Sequence, residues 1–184
     1  MSHPKRIYLA GPEVFFPAAE HRAIVAEKKR LLADAGMEGV DPLDSELELD
    51  AIQSKREQGF QIFRANKALM DTCDGLIANL TPFRGVSADP GTVFEVGYMI
   101  GQGKSAIGFT MDRRSYVERA GGASVDECGH VIEDFDLSDN LMIEGALADC
   151  GGELVVARGG QSVGYFDSET FARCVSLMAG RKFQ

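Results

Sequence analysis

The chain has no tryptophan, three histidines and four cysteines, and its 19 basic residues are outnumbered by 28 acidic ones. Each scarcity excludes something. The cysteines, Cys73, Cys128, Cys150 and Cys174, are scattered and form no CxxC pair. In a reducing compartment they read as small buried apolar residues rather than disulfides. Cys128-x-His130 is the one pair spaced for a metal, and with no second pair at ligand spacing no metal is expected. Few histidines leave few candidates for a histidine-based triad. A net charge of -9 argues against a general binder of nucleic-acid backbone and against an anionic-membrane binder. No charge-free run reaches ten residues, whereas a membrane-spanning helix needs roughly 20. The short apolar stretch that ends at Gly11-Pro12 cannot serve as the core of a secretory signal, so the expected location is the cytoplasm. Chemistry must then be sought among the carboxylates.

What is present is an ordinary globular composition, 184 residues with 45% apolar and 26% charged. It fits one domain over residues 1–184. Short apolar runs alternate with amphipathic ones. Ile7–Ala10, Gly75–Leu80, Ser105–Thr110 and Glu153–Ala157 read as strands. Helices are expected over about 17–35, 51–73, 92–102, 139–148 and 168–178. In the first, Ile24, Leu31, Leu32 and Ala35 share a face, and Gly36 ends it. In the second, Ile62, Ala65, Leu69 and Cys73 share a face, and Asn66 lies inside that stripe. Residues 111–136 are Gly-rich and charged and read as an excursion, a lid or an interface. Alternation of strand and helix predicts an α/β fold, a doubly wound sandwich with a mainly parallel sheet of about five strands. Ligands then sit at the carboxyl ends of the strands. That singles out the loops Gly11–Pro17 and Thr81–Gly91.

The second of these loops leads into the helix with Asp89-Pro90-Gly91-Thr92-Val93-Phe94-Glu95. Asp89 stands just before the helix and Glu95 about one turn inside, where the positive end of the helix dipole favours an ionised carboxylate. Two carboxylates with separate roles are the minimum for cleaving a glycosidic bond with retention: one attacks the anomeric carbon, the other moves the proton. The plainer reading makes both residues ordinary N-terminal charges. Against it stand the apolar neighbours Val93, Phe94, Val96 and Tyr98, and Gly91 and Gly97, which permit close approach. The first loop has neither GxGxxG nor GxxxxGK[ST], and Glu13 is expected to repel phosphate. Phe15 and Phe16 either offer a stacking face for a base or pack on the following helix. Asn66 is expected to find a polar partner, and Asp139-Asn140 first reads as a helix cap.

Taken together, Ile7-Tyr8-Leu9-Ala10-Gly11-Pro12 with Phe15, the block Cys73–Gly85, Ser87–Tyr98 and Asn140-Leu141-Met142 resemble the nucleoside 2-deoxyribosyltransferase family. The resemblance implies a flavodoxin-like sheet and transfer of 2-deoxyribose between bases, with 2′-deoxynucleosides and free nucleobases as partners and no cofactor or metal. It implies Glu95 as nucleophile, Asp89 as acid–base group and Tyr8 as the residue that orients the glutamate. Gly11, Phe15, Asn66 and Ser87 fall to substrate binding. Asn140 matches an asparagine given by a neighbouring subunit, so a homodimer or larger homo-oligomer is implied. Some members carry aspartate where this chain has Asn66, and an amide both donates and accepts; base preference therefore stays open. The alternative activity is hydrolysis of deoxynucleosides or their 5′-monophosphates. A non-catalytic nucleoside sensor is the reading from outside enzymology.

Overall fold

The computed structural model describes residues 3–45, 47, 54–158 and 164–181. Five strands, β1 (Lys5–Ala10), β2 (Met37–Val40), β3 (Gly75–Asn79), β4 (Ser105–Thr110) and β5 (Leu154–Val156), form one sheet in the order β2-β1-β3-β4-β5. Every pairing is parallel. This is the flavodoxin-like order, with the chain reversing direction across the sheet between β1 and β3. The expected α/β sandwich is therefore the observed one. β2 escaped the sequence reading because Met37-Glu38-Gly39-Val40 has no apolar run, only two buried ends around a glutamate and a glycine.

Strand alternation sends side chains to two cores. Ile7 and Leu9 face one, with α1 (Ala18–Asp34) and α6 (Ser168–Ala179). Tyr8 and Ala10 face the other, with α2 (Lys55–Asp71), α3 (Pro90–Gly101) and α5 (Leu141–Asp149). Helix boundaries follow local chemistry. Asp89, Asn140 and Asp167 cap α3, α5 and α6 through their side chains. Gly36, at φ 74°, ends α1 in the left-handed region that glycine enters without a Cβ penalty. The expected start of the second helix, residues 51–53, lies outside the described residues. Ile62, assigned to that helix's apolar face, is 39% exposed, and Phe60 and Phe63 are also open to solvent. Among the described residues no helix is long and apolar enough to cross a membrane.

The apolar face expected for α1 needs correction. Its buried residues are His21, Lys28 and Leu32, while Ile24 and Leu31 are half-buried and Ala35 is exposed. Lys28 is 2% exposed and its ammonium lies 2.6 Å from Glu13 Oε1. Rings of Phe109, Phe166 and Phe171 surround that ammonium at 5.4, 5.8 and 5.6 Å. Glu13 thus points inward, so it does not repel an anion in the site. Asn79, at the end of β3, donates from Nδ2 to Glu13 Oε1 and to the Tyr165 carbonyl, both at 2.8 Å. Its Oδ1 accepts from Thr81 N and Thr81 Oγ1 at 3.0 and 2.6 Å. Gly11 is the close approach that allows this, since a Cβ there would lie 2.0 Å from Glu13 Oε2.

Glu13 thus ties the loop after β1 both to Asn79 at the end of β3 and, through a buried ion pair, to Lys28 of α1. Removing one partner strands the other charge. Lys28→Met is expected to lower unfolding free energy by about 3–5 kcal/mol in urea denaturation. Glu13→Gln in the same chain should recover part of the loss; no recovery would show that packing around the lysine stem, not the charge, sets the cost.

Candidate active site

The site forms where β1 and β3 end. Tyr8 is fully buried on the α3 side of the sheet, as its place in the strand requires. On α3, Thr92, Val96 and Met99 are buried at i, i+4 and i+7, and Glu95 belongs to the same stripe. The Tyr8 hydroxyl donates to Glu95 Oε1 at 2.8 Å. Burial raises Glu95 to a pKa of about 7; the Tyr8 bond pulls it down and the Asp89 charge pushes it up. Burial first, and then the Glu95 charge, drive the Tyr8 hydroxyl upward, which keeps it a donor. Asp41 also bears on Tyr8. That carboxylate is itself raised by burial, and the imidazole of His21, 3.1 Å away, opposes the rise.

The expected benefit from the helix dipole is not what governs Glu95. Asp89 is the N-cap and Pro90 the first helical residue, which puts Glu95 in the second turn, and the terminal field fades within the first. The apolar company expected around Glu95 is also thinner. Phe94 is 50% exposed and turns outward against Phe63 and Tyr98, at 6.0 and 5.9 Å. The Tyr98 hydroxyl donates to Asp71 at 2.6 Å. Gly97 has open space where a Cβ would stand.

Asp89 does cap α3. Its Oδ2 accepts from Thr92 N at 3.0 Å and Thr92 Oγ1 at 3.3 Å. The capping reading is thus true, and it does not exclude the other, because the same carboxylate is close enough to Glu95 to perturb it.

Phe15 and Phe16 do not pack on α1 alone. Phe15 stacks on Phe83 at 5.6 Å and 10°, remaining 52% exposed. Phe16 and Phe83 meet the edge of Tyr165 at 5.0 and 5.8 Å. The Arg84 guanidinium lies 4.8 Å from the Phe15 ring and 4.7 Å from Phe83. Arg84 holds φ 57°, a left-handed conformation uncommon outside glycine and found at constrained functional positions.

Asn66 is half-buried on α2. The Ser87 hydroxyl, assigned to substrate, donates to Asp139. Asn140 caps α5 by accepting from Met142 N at 3.0 Å, and its Nδ2 donates to Glu133 at 2.8 Å. The neighbouring Met142 is 71% exposed. Cys73 and Cys174 are buried as expected, Cys150 is half-buried and Cys128 is exposed; all are free thiols. Cys128 and His130 gain a third donor in Asp126, the three atoms lying within 4.8 Å of one another. They sit on an exposed turn where Asp126 already accepts from Cys128 N and His130 N.

The polar residues that the sequence did not point to are Lys28, Asn79, Asp41 and Arg119; Asp139, read with Asn140 as a helix cap, instead binds the Ser87 hydroxyl and Ala88 N. Only Lys28 left a signal, a cation at i+7 from His21 and i−4 from Leu32 on one helical face.

Comparison with known proteins agrees with this geometry. A family model described as nucleoside 2-deoxyribosyltransferase matches residues 7–142. An uncharacterized protein of Schizosaccharomyces pombe is 34% identical over 171 residues, covering 82% of this chain and 80% of that one. The solved 2-desoxiribosyltransferase from Leishmania mexicana is 29% identical at a TM-score of 0.67, covering 94% of this chain and 98% of its own. A CMP N-glycosidase from Clostridium botulinum shares the fold at 16% identity and a TM-score of 0.52, with 95% of this chain and 99% of that one covered.

A stability prediction follows from the Glu95 environment. Native Glu95 keeps its proton to about pH 7, whereas an unfolded glutamate releases it near 4.5. Between those values the native state binds more protons, so this group's contribution to stability falls as pH rises. Glu95→Gln keeps an acceptor for Tyr8 and removes the penalty. Its melting temperature should match the parent near pH 4 and exceed it above pH 7; a difference that does not change with pH would contradict the assignment.

Proposed function

Because the chain belongs to the nucleoside 2-deoxyribosyltransferase family, we propose that it transfers 2-deoxyribose from a 2′-deoxynucleoside to a free purine or pyrimidine base through an ester on Glu95. The observation that carries the reading is the Tyr8–Glu95 bond of 2.8 Å at the β1/β3 reversal, with Asp89 close enough to perturb the glutamate. Tyr8 holds Oε1, and Oε2 attacks C1′. The C1′–N bond breaks as Asp89 delivers its proton to the departing base nitrogen. An incoming base then attacks C1′ from the same face, loses its proton to Asp89 and releases Glu95. Two inversions give retention. The absent 2-hydroxyl eases the positive charge that builds on the sugar. In this reading Asp89 uses Oδ2 for the helix and Oδ1 for the proton.

Phe15, in its stack with Phe83 beneath Arg84, supplies the face for a base, with Asn66 reading its edge, while Gly11 serves through the loop by leaving room for Glu13. Asn140 completes the sugar site of a neighbouring subunit. The exposed Met142 beside it and the open Phe60, Phe63 and Phe94 suit a homo-oligomer that covers them. Ser87, engaged by Asp139, serves the site through the loop rather than through the base.

A second reading, hydrolysis of deoxynucleosides or their 5′-monophosphates, gains support from Glu13. Paired with Lys28, it no longer counts against a phosphate. The two readings differ in the acceptor, water or a base.

The test is chromatography of 2′-deoxyinosine with free adenine. Appearance of deoxyadenosine together with hypoxanthine supports transfer, whereas hypoxanthine with free deoxyribose supports hydrolysis. Thymidine with uracil extends the test to pyrimidines. Glu95→Ala should lose at least about a thousandfold in turnover. In the parent protein, kcat/KM should fall on the acid side of about pH 7 as Glu95 takes up its proton.

A further inference from the structure

The excursion between β4 and α5 is not loosely attached. Its short helix α4 (Tyr116–Arg119) carries an arginine whose side chain is 3% exposed, set against an Asp139 side chain at 2%. The Arg119 guanidinium donates to three carbonyls: Val86 from Nε at 2.7 Å, Arg114 from Nη1 at 2.6 Å, and Ser138 from Nη2. Nη2 lies 3.8 Å from Asp139 Oδ2. Asp139 in turn accepts from the Ser87 hydroxyl, from Ala88 N at 3.0 Å and from Asn140 N at 2.7 Å. Val86, Ser87 and Ala88 are consecutive, each is gripped by this pair, and the next residue is Asp89. On its other side Asp89 is fixed by Thr92. Two charges removed from water contribute little net stability. Here their bonds converge on the backbone that delivers one carboxylate to Glu95.

We propose that Arg119 and Asp139 are positioning residues that set the acid–base carboxylate Asp89, making the excursion a working part of the site. The proposal rests on Asp89 moving the proton in the reading above. It predicts a dependence on the leaving group. A neutral purine needs a proton as C1′–N breaks. An N7-methylated purine nucleoside is already a cation, and its base leaves neutral with no proton transferred.

The experiment compares the first turnover of base release, before an acceptor must give its proton to Asp89, from 2′-deoxyinosine and from its N7-methyl derivative in the parent protein, Asp89→Asn, Asp139→Asn, Arg119→Met and Arg119→Lys. The expected result is that Asp139→Asn and Arg119→Met lose about 10–100-fold in the rate of that first turnover on deoxyinosine, with substrate affinity little changed. Both should keep nearly the parent rate on the methylated substrate, the same selectivity as Asp89→Asn. Arg119→Lys, which keeps the charge but not the three-way fork, should fall between. Equal losses on both substrates would mean a merely structural role and overturn the proposal, as would no loss on either. The methylated substrate also reports that each variant is folded. Absence of base release by the parent protein from either substrate is a different result, and it would count against the glycosyl-transfer reading itself.

Discussion

Lys28 and Glu13 meet at 2.6 Å with almost no exposure to water, and the shape of the carboxyl edge of the sheet depends on that meeting. Glu13 follows β1 and is reached by Asn79 from the end of β3. Lys28 rises from α1 through a cage of three rings. Such a pair is poor value as a stability device, since the desolvation of two ions offsets most of their attraction. What it supplies is a fixed Glu13, whose bond from Asn79 holds the register between loops that are otherwise far apart in the chain. The β1 loop carries Phe15, and the β3 loop carries Phe83 and leads to Asp89. Held apart by even a small amount, the two loops would lose the stack of Phe15 on Phe83.

Glu95 shows a second tension. A carboxylate proposed as nucleophile must be ionised, yet burial pushes this one up to about 7. Tyr8 is what restrains the rise, by donating to one oxygen. Dehydration that costs ionisation also removes the water that, in the proposed reaction, would screen a developing charge on the sugar. The group is therefore balanced near neutrality rather than committed to either form, the condition in which a carboxylate is both available and reactive.

The capping role of Asp89 and its proposed chemical role belong together. A helix cap has its backbone angle fixed and one oxygen engaged, so the carboxylate enters the site with little freedom. The Arg119–Asp139 pair removes the remaining slack from the preceding residues. The same Asp139 binds the amide of Asn140, so the loop that leads to Asp89 and the start of α5 are tied at one atom cluster. Rigidity at the site thus comes from the part of the chain with the least regular structure.

Local pattern was enough for much of this molecule. Ile7–Ala10 and Ser105–Thr110 are apolar runs that only a buried strand accommodates. Gly36 ends a helix because no other residue enters its conformation without strain, and Asp89-Pro90 starts one because both are chemically suited to the place. Those signals lie within a few residues of each other, so the sequence by itself determined the strand–helix alternation outside β2, the parallel sheet and the placing of Asp89 and Glu95 within the first two turns of one helix. It could not determine that Lys28 would lie inside, that Glu13 would turn from solvent toward it, or that Ser87 would be claimed by Asp139 across 52 positions. Nor could it reveal that burial would outweigh the helix dipole at Glu95. Those outcomes were decided by tertiary structure, because the energy of a charge depends on what surrounds it in space, and its neighbours there come from distant segments of the chain.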